Sequence, residues 1–312
     1  MTTNTPSRNS PFTLNNHGRY PYSGIDQRPK YTWPEGKRLA FYIALNIEHF
    51  PFGSAGGIDL DRETKPWSQR SWLWREYGNR VGGWRLANLF DELDLNVGVI
   101  VNGANYEHCP DLLARYRARG DEMIGHGISN GTERPIDMSE TAERQMVADV
   151  TALMAQADGV RPQGWLSPYL TPSLATTDIL TEHGYGYTLD WGLSDEQPFW
   201  MKGSGGKILS IPYPIELNDQ PAIVGRRCTA AQYADMLIDQ FDEMLHQSND
   251  TPLVFAVSLH SFIVGQPFRL KHLRRALQHI LQHRDDIWVT LPNKIAAHYQ
   301  SLPNNVQLHA AG

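Results

Sequence analysis

Cysteine is scarce in this 312-residue chain: Cys109 and Cys228 are the only two, too few for a disulfide framework and too far apart in sequence to form a metal knuckle. Both are expected to be free thiols behaving as small hydrophobes. No uninterrupted apolar run approaches the roughly 20 residues that a membrane-crossing helix needs. The N-terminal stretch MTTNTPSRNSPFTLNNHGRY lacks the apolar centre of a signal peptide, so a cytoplasmic location away from membranes is expected. Basic residues never run beyond a pair and the formal net charge is −6, which argues against nucleic acid or an anionic membrane as partner. No G-x-G-x-x-G follows the first apolar run, and neither Ser258 nor Ser261 lies in a G-x-S-x-G elbow. A dinucleotide fold and a serine nucleophile beside His260 are therefore disfavoured.

What the chain does hold is ordinary globular composition, 41% hydrophobic and 20% charged with nine tryptophans, and enough length for one large domain. Residues 1–35 are rich in Pro, Asn, Arg and Tyr without periodicity. They read as an N-terminal arm that builds no core and lies on the body or reaches a neighbouring subunit. From Leu39 on, apolar runs at 39–47, 97–103, 122–128, 164–170, 185–191, 208–215, 253–261 and 287–293 read as strands. Between them, 72–93, 110–119, 139–157, 174–183, 229–246 and 269–283 read as amphipathic helices. In the third of these, Met146, Val150, Leu153 and Met154 fall on one face, and Ser139 or Asp137 is placed to cap its start. Strand-then-helix repetition is the signature of parallel β packing. The expected fold class is α/β, a single distorted (β/α) barrel of seven or eight parallel strands with outer helices over residues 36–302, followed by a tail at 303–312. Residues 53–69 form a long Gly- and Asp-bearing loop, the kind that commonly serves as a lid or rim.

In such a barrel the C-terminal strand ends surround one mouth, where reactive groups collect. The residues there are Glu48 and His49, then Asn102, His126 with Asn130, Ser167, Asp190 with Trp191, Glu216, Asn218 and Asp219, and finally His260. A lone histidine at a strand end is more often a hydrogen-bonded structural residue than a reactive one. Three of them, His49, His126 and His260, each ending an apolar run, are harder to explain that way. His183, His246, His272, His279 and His283 fall on helical segments and are expected to be solvated.

The pattern resembles the polysaccharide deacetylase superfamily (carbohydrate esterase family 4), and more closely its branch of cofactor-independent allantoinases and cyclic imide or ureide hydrolases. The stretches that carry the resemblance are WPEGKRLAFYIALNIE, EYGNRVGGWRLANLFDEL, GDEMIGHG, RPQGWLSPYLTPS, IPYPIELND and VSLHSFIVGQPFR. They run from about Trp33 to His298. The resemblance implies a distorted (β/α) barrel that hydrolyses a carbon–nitrogen bond other than a peptide bond. It also implies a metal position, which falls here on His49, His126 and Asn130. The deacetylases have an Asp pair where Glu48-His49 stands and a second His where Asn130 stands, so a Zn-like divalent ion would be held without a carboxylate unless Glu48 supplied one. The allantoinase branch has an Arg in the fourth-strand motif that GWLSPYLTPS lacks. This favours a less polar amide, imide or ureide packed by Trp165, Tyr169, Trp191 and Trp200.

The expected roles follow from what amide hydrolysis requires. Glu48 would be the base, directly or on a metal, and His260 the acid for the leaving nitrogen or the donor that polarises the carbonyl. His126 with His49 would position the water. Asn130, Asn218 and backbone N–H groups after the fourth strand would hold the oxyanion, and Asp219 would orient His260. Asn102, Trp165, Ser167, Asp190 and Trp191 complete the expected substrate contacts. The cofactor is either none or one divalent metal. The expected partners are a small-molecule substrate and copies of the chain itself, as a homo-tetramer or dimer. Two other readings stand beside this one: a metal-dependent carbohydrate N-deacetylase, and a barrel that binds a ligand without turnover.

Overall fold

The computed structural model describes residues 16–54, 67–131 and 133–309. Most of the expected 53–69 loop, the start of the N-terminal arm and the end of the tail lie outside the described residues. Nine strands form one sheet: β1 (Leu39–Ile47), β2 (Gly98–Val101), β3 (Glu122–Gly125), β4 (Gly164–Trp165), β5 (Tyr187–Thr188), β6 (Phe199–Gly203), β7 (Gly206–Ser210), β8 (Leu253–His260) and β9 (Ile287–Val289). Their order is β6-β7-β5-β4-β3-β2-β1-β8, with β9 also pairing β1. All pairings are parallel except the β6–β7 hairpin. Among the described residues no strand pairing joins β7 to β8; Asn218, in the segment after β7, makes one parallel bridge to Ser258 of β8, and the barrel is distorted there.

Around the sheet lie α1 (Gln69–Tyr77), α2 (Gly83–Glu92), α3 (Asn105–His108), α4 (Pro110–Ala118), α5 (Glu140–Asp158), α6 (Thr176–Glu182), α7 (Ala230–Gln247), α8 (Ser261–Val264), α9 (Pro267–Leu281) and α10 (Pro292–Ser301). No described helix is long and apolar enough to cross a membrane. Strand β6 has no counterpart in the sequence reading; its signal is the GSGG turn between two short runs, a hairpin cue. On α5, Ser139 accepts from the Ala142 N–H as a cap, whereas Leu153 is exposed and does not join the buried face of Met146, Val147, Val150 and Met154.

Strand alternation sorts the core into two layers. On β1, Leu39, Phe41, Ile43, Leu45 and Ile47 pack outward under the helices, while Ala40, Tyr42 and Ala44 fill the barrel interior. On β8, Phe255, Val257 and Leu259 face out, and Val254 and Ala256 face in. Trp33 plugs the end opposite the mouth. It is 1% exposed and its indole N–H donates to the Leu253 carbonyl at 3.0 Å, so the arm does contribute core, contrary to expectation. Arg19 and Arg28 fasten the described part of the arm to its own body through Asp178 and Asp195.

The helix expected over 72–93 is broken by a π-helical turn at Gly78–Gly82. The cause is close approach of backbone: a Cβ on Gly82 would sit 2.0 Å from the Ser261 carbonyl oxygen, and one on Gly78 2.5 Å from Ser261 Oγ. Gly82→Ala is therefore expected to destabilise by about 3 kcal/mol, seen as a lower urea midpoint at unchanged m. An unchanged midpoint would mean that this turn can move away from the strand-end residue beside His260.

Candidate active site

The same alternation decides what reaches the mouth. Counting on from Ala40, Tyr42 and Ala44, the inward set of the first strand ends in Asn46 and Glu48. On β8 it ends in Ser258 and His260. The backbone of the first strand end is held by three amides: Asn105 Nδ2 donates to the Ile47 carbonyl at 2.8 Å, Asn79 Nδ2 to the Glu48 carbonyl at 3.1 Å, and the His49 N–H to Asn102 Oδ1 at 2.8 Å. Asn79 lies in the π-helical turn, which gives that irregular turn a use.

Glu48 is 7% exposed and sits between two imidazoles, with Oε1 3.6 Å from His126 Nε2 and 3.8 Å from His260 Nε2. Asn130 Nδ2 donates to the same oxygen at 2.7 Å. Burial acts to raise the Glu48 pKa, but His260, His126 and Asn130 outweigh it and hold the carboxyl below its ordinary value. The ring of His126 has its Nδ1 2.7 Å from the Leu166 carbonyl oxygen, an acceptor only, so Nδ1 donates there and Nε2 is the nitrogen that faces Glu48. That Nε2 is buried and has no partner among the described residues. His260 Nδ1 donates to Asp219 Oδ1 at 2.6 Å, and the His260 backbone N–H to Asp219 Oδ2 at 2.8 Å. Burial opposes protonation of His260, yet Asp219 and Glu48 hold its pKa above the ordinary value.

These groups floor a cavity of about 500 Å³. Phe50, Leu166, Leu170 and Ile215 supply apolar wall; Asn46, Asn218, Arg134 and Tyr169 supply polar groups. Tyr169 (φ 60°) and Leu170 (φ 56°) are consecutive non-glycine residues in the left-handed region, strain of the kind that collects at working sites. The tyrosine hydroxyl donates to the Asn130 carbonyl at 2.9 Å, tying the fourth strand end to the third.

Of the expected site residues, Glu48, His126, Asn130, Tyr169, Asn218 and His260 line this cavity, and Asp219 stands directly behind His260. Others do not reach it. The ring of His49 lies on the outer side of its strand, edge-on to His108 at 4.8 Å between centroids. Trp165 alternates outward into the helix-facing core, its N–H on Ser167 Oγ. Ser167 and Asp190 satisfy each other, Ser167 donating through its N–H at 2.6 Å and its hydroxyl at 2.9 Å, with Asp190 pushed up to about 6 by burial. Trp191 donates to Thr177 Oγ1 and packs on Tyr20 of the arm, and Trp200 bonds Gln307. Asn102 is wholly buried beneath Asn130.

The sequence reading missed Asn46, Phe50, Arg134 and Tyr213. Arg134 stands on the rim paired to Asp137, so the cavity does have a guanidinium, supplied from a different loop than the fourth-strand motif. Tyr213 shares a hydrogen bond of 2.5 Å with Ser258. A G-x-S-x-G match does occur at Gly127–Gly131, but its Ser129 lines a separate depression and not this cavity.

The metal set does not fit. His49 points away, and Asn130 turns its amide oxygen to Asn102 Nδ2 at 3.0 Å because its NH₂ is needed by the Glu48 carboxylate. Flipping that amide would set oxygen against carboxylate. The residues present set the Glu48 carboxylate between the imidazoles of His126 and His260.

The fold is shared by solved structures at 24% identity, among them PuuE allantoinase and a Pseudomonas aeruginosa protein named for polysaccharide deacetylation. No protein-family profile matches the chain. A peptidoglycan deacetylase of Helicobacter pylori is 24% identical over 251 residues, 70% of this chain and 84% of that protein. A Schizosaccharomyces pombe protein, named provisionally as a polysaccharide deacetylase, is 23% identical over 304 residues, 87% of this chain and 92% of that one. Among solved structures, PuuE allantoinase superposes with a TM-score of 0.78 at 24% identity, covering 86% of this chain and 92% of its own.

Proposed function

We propose that the chain hydrolyses a carbon–nitrogen bond, other than a peptide bond, of a small and cyclic amide, imide or ureide, with Glu48 as base and His260 as acid. The observation that carries this reading is one buried carboxylate oxygen flanked by two imidazole nitrogens at the floor of the cavity. A water bound there donates one O–H to Glu48 and is positioned by the Nε2 edge of His126, with a lone pair facing the substrate. Glu48 takes a proton as the water oxygen bonds to the carbonyl carbon. The oxyanion is met by donors at the mouth, among them Asn218. Collapse breaks the carbon–nitrogen bond as the Nε2 proton of His260 passes to the leaving nitrogen, while Asp219 keeps the Nδ1 proton and the ring's orientation. Proton return from Glu48 to His260 resets the pair.

Substrate size supports the reading: a cavity of about 500 Å³ with apolar walls suits a small molecule. Arg134 and Asn218 give it groups for carbonyl edges. The test is a panel of hydantoin, allantoin, succinimide and N-acetylglucosamine oligomers, each with and without EDTA. Ring opening of a cyclic member that survives chelation is the expected result. The names of the curated relatives favour a second reading, carbohydrate N-deacetylation, which acetate release from the oligomers without ring opening would select. Activity lost to EDTA and restored by zinc would overturn the metal-free mechanism.

The pH dependence has a definite sign. Glu48 must be ionised and its pKa is depressed, so the acid limb of kcat/KM falls below the ordinary glutamate value of 4.5. His260 must be protonated and its pKa is raised, so the alkaline limb falls above the ordinary histidine value of 6.5. A bell wider than those two values is expected; one narrower would contradict the pairing of the two groups.

A further inference from the structure

Two histidines expected to be solvated are not independent surface residues. His279 on α9 and His283, two residues beyond its end, come together with Asp242 of α7, and one ligand atom from each lies within 4.8 Å of the others. Among the described residues this is the one set of three His, Cys, Asp or Glu side chains that meets so closely. His279 Nε2 is 2.7 Å from Asp242 Oδ1. Both imidazoles are partly buried and braced on the ring of Phe241, with centroids at 6.1 and 5.5 Å. Asp286 Oδ2 lies 3.8 Å from His283 Nδ1, beside the ring but beyond hydrogen-bond distance. The end of α9 also directs its partial negative charge toward this spot.

We propose that Asp242, His279 and His283 form a zinc site on the outside of the barrel, clamping the end of α9 to α7. Two imidazoles four residues apart and one carboxylate are a donor set suited to zinc, with a fourth position open to water. At ligand distances of about 2.0–2.2 Å the three donors must draw together by small side-chain rotations, and the ion replaces the proton now shared between His279 and Asp242. Binding would raise the thermal midpoint, because the ion holds two helices that separate on unfolding.

The experiment is titration of the full chain with zinc in competition with a chromogenic chelator, with thermal melts run in parallel. Wild type is expected to bind one zinc per chain and to melt higher with it. His279→Ala and His283→Ala should each weaken binding at least tenfold and lose the melting shift, while keeping the metal-free midpoint and the hydrolytic rate. His126→Ala should bind as wild type does. Equal zinc affinity in wild type and in the His279→Ala/His283→Ala double variant would overturn the proposal, as would loss of binding in His126→Ala, which would move the ion to the cavity.

Discussion

Glu48→Gln is expected to lower kcat by about three orders of magnitude with little change in KM. Gln keeps an oxygen for Asn130 Nδ2 and has nearly the same volume, so the cavity floor and the amides that hold residues 47–49 stay in place. What it loses is the negative charge that accepts the water proton. It also loses one of the two carboxylates that raise the His260 pKa, so the alkaline limb of any residual activity moves to lower pH. Steady-state kinetics across pH, with ligand affinity measured separately on the variant, check both effects. An unchanged kcat would remove Glu48 from the role of base.

The barrel was legible because each parallel strand, covered on both faces, reads as a continuous apolar run. The same fact hid which side of each strand is which. Glu48 and His49 both follow an apolar run and both look like mouth residues, yet one alternates inward and the other outward. A signal did exist. Apart from Tyr42 and Val254, the inward positions of the two longest strands carry small or polar residues, Ala40, Ala44 and Asn46 on β1, and Ala256 and Ser258 on β8, while the outward positions are large and aliphatic or aromatic. Reading parity from that contrast selects Glu48 and His260, and rejects His49. Trp165 fails in the same way, since Leu166 beside it takes the inward place. The link from Asp219 to His260 was anticipated because a histidine acid needs a carboxylate behind it. Arg134 was not, because it lies in no strand and no periodicity marks a loop residue that folds back over a cavity.

The second large effect is at His260, where activity and stability are expected to part. His260→Ala removes the proton donor, and kcat should fall by about 10³-fold with loss of the alkaline limb. It also strands Asp219, which is fully buried and whose two oxygens both bond to His260. Truncating one partner of a buried pair leaves the other unpaired, a cost of about 3 kcal/mol. A second change, Asp219→Asn, removes the stranded charge. The double variant should therefore regain much of the lost stability in a urea titration and none of the lost turnover. Asp219→Asn alone gives the complementary result: His260 stays, but without the carboxylate that raises its pKa the alkaline limb shifts down and kcat falls. If the double variant were no more stable than His260→Ala, the buried charge of Asp219 would not be the source of the instability. If it recovered turnover, the proton would be reaching the leaving nitrogen from some group other than His260, and the cavity's remaining donors, Tyr169 and Arg134, would be the ones to replace next.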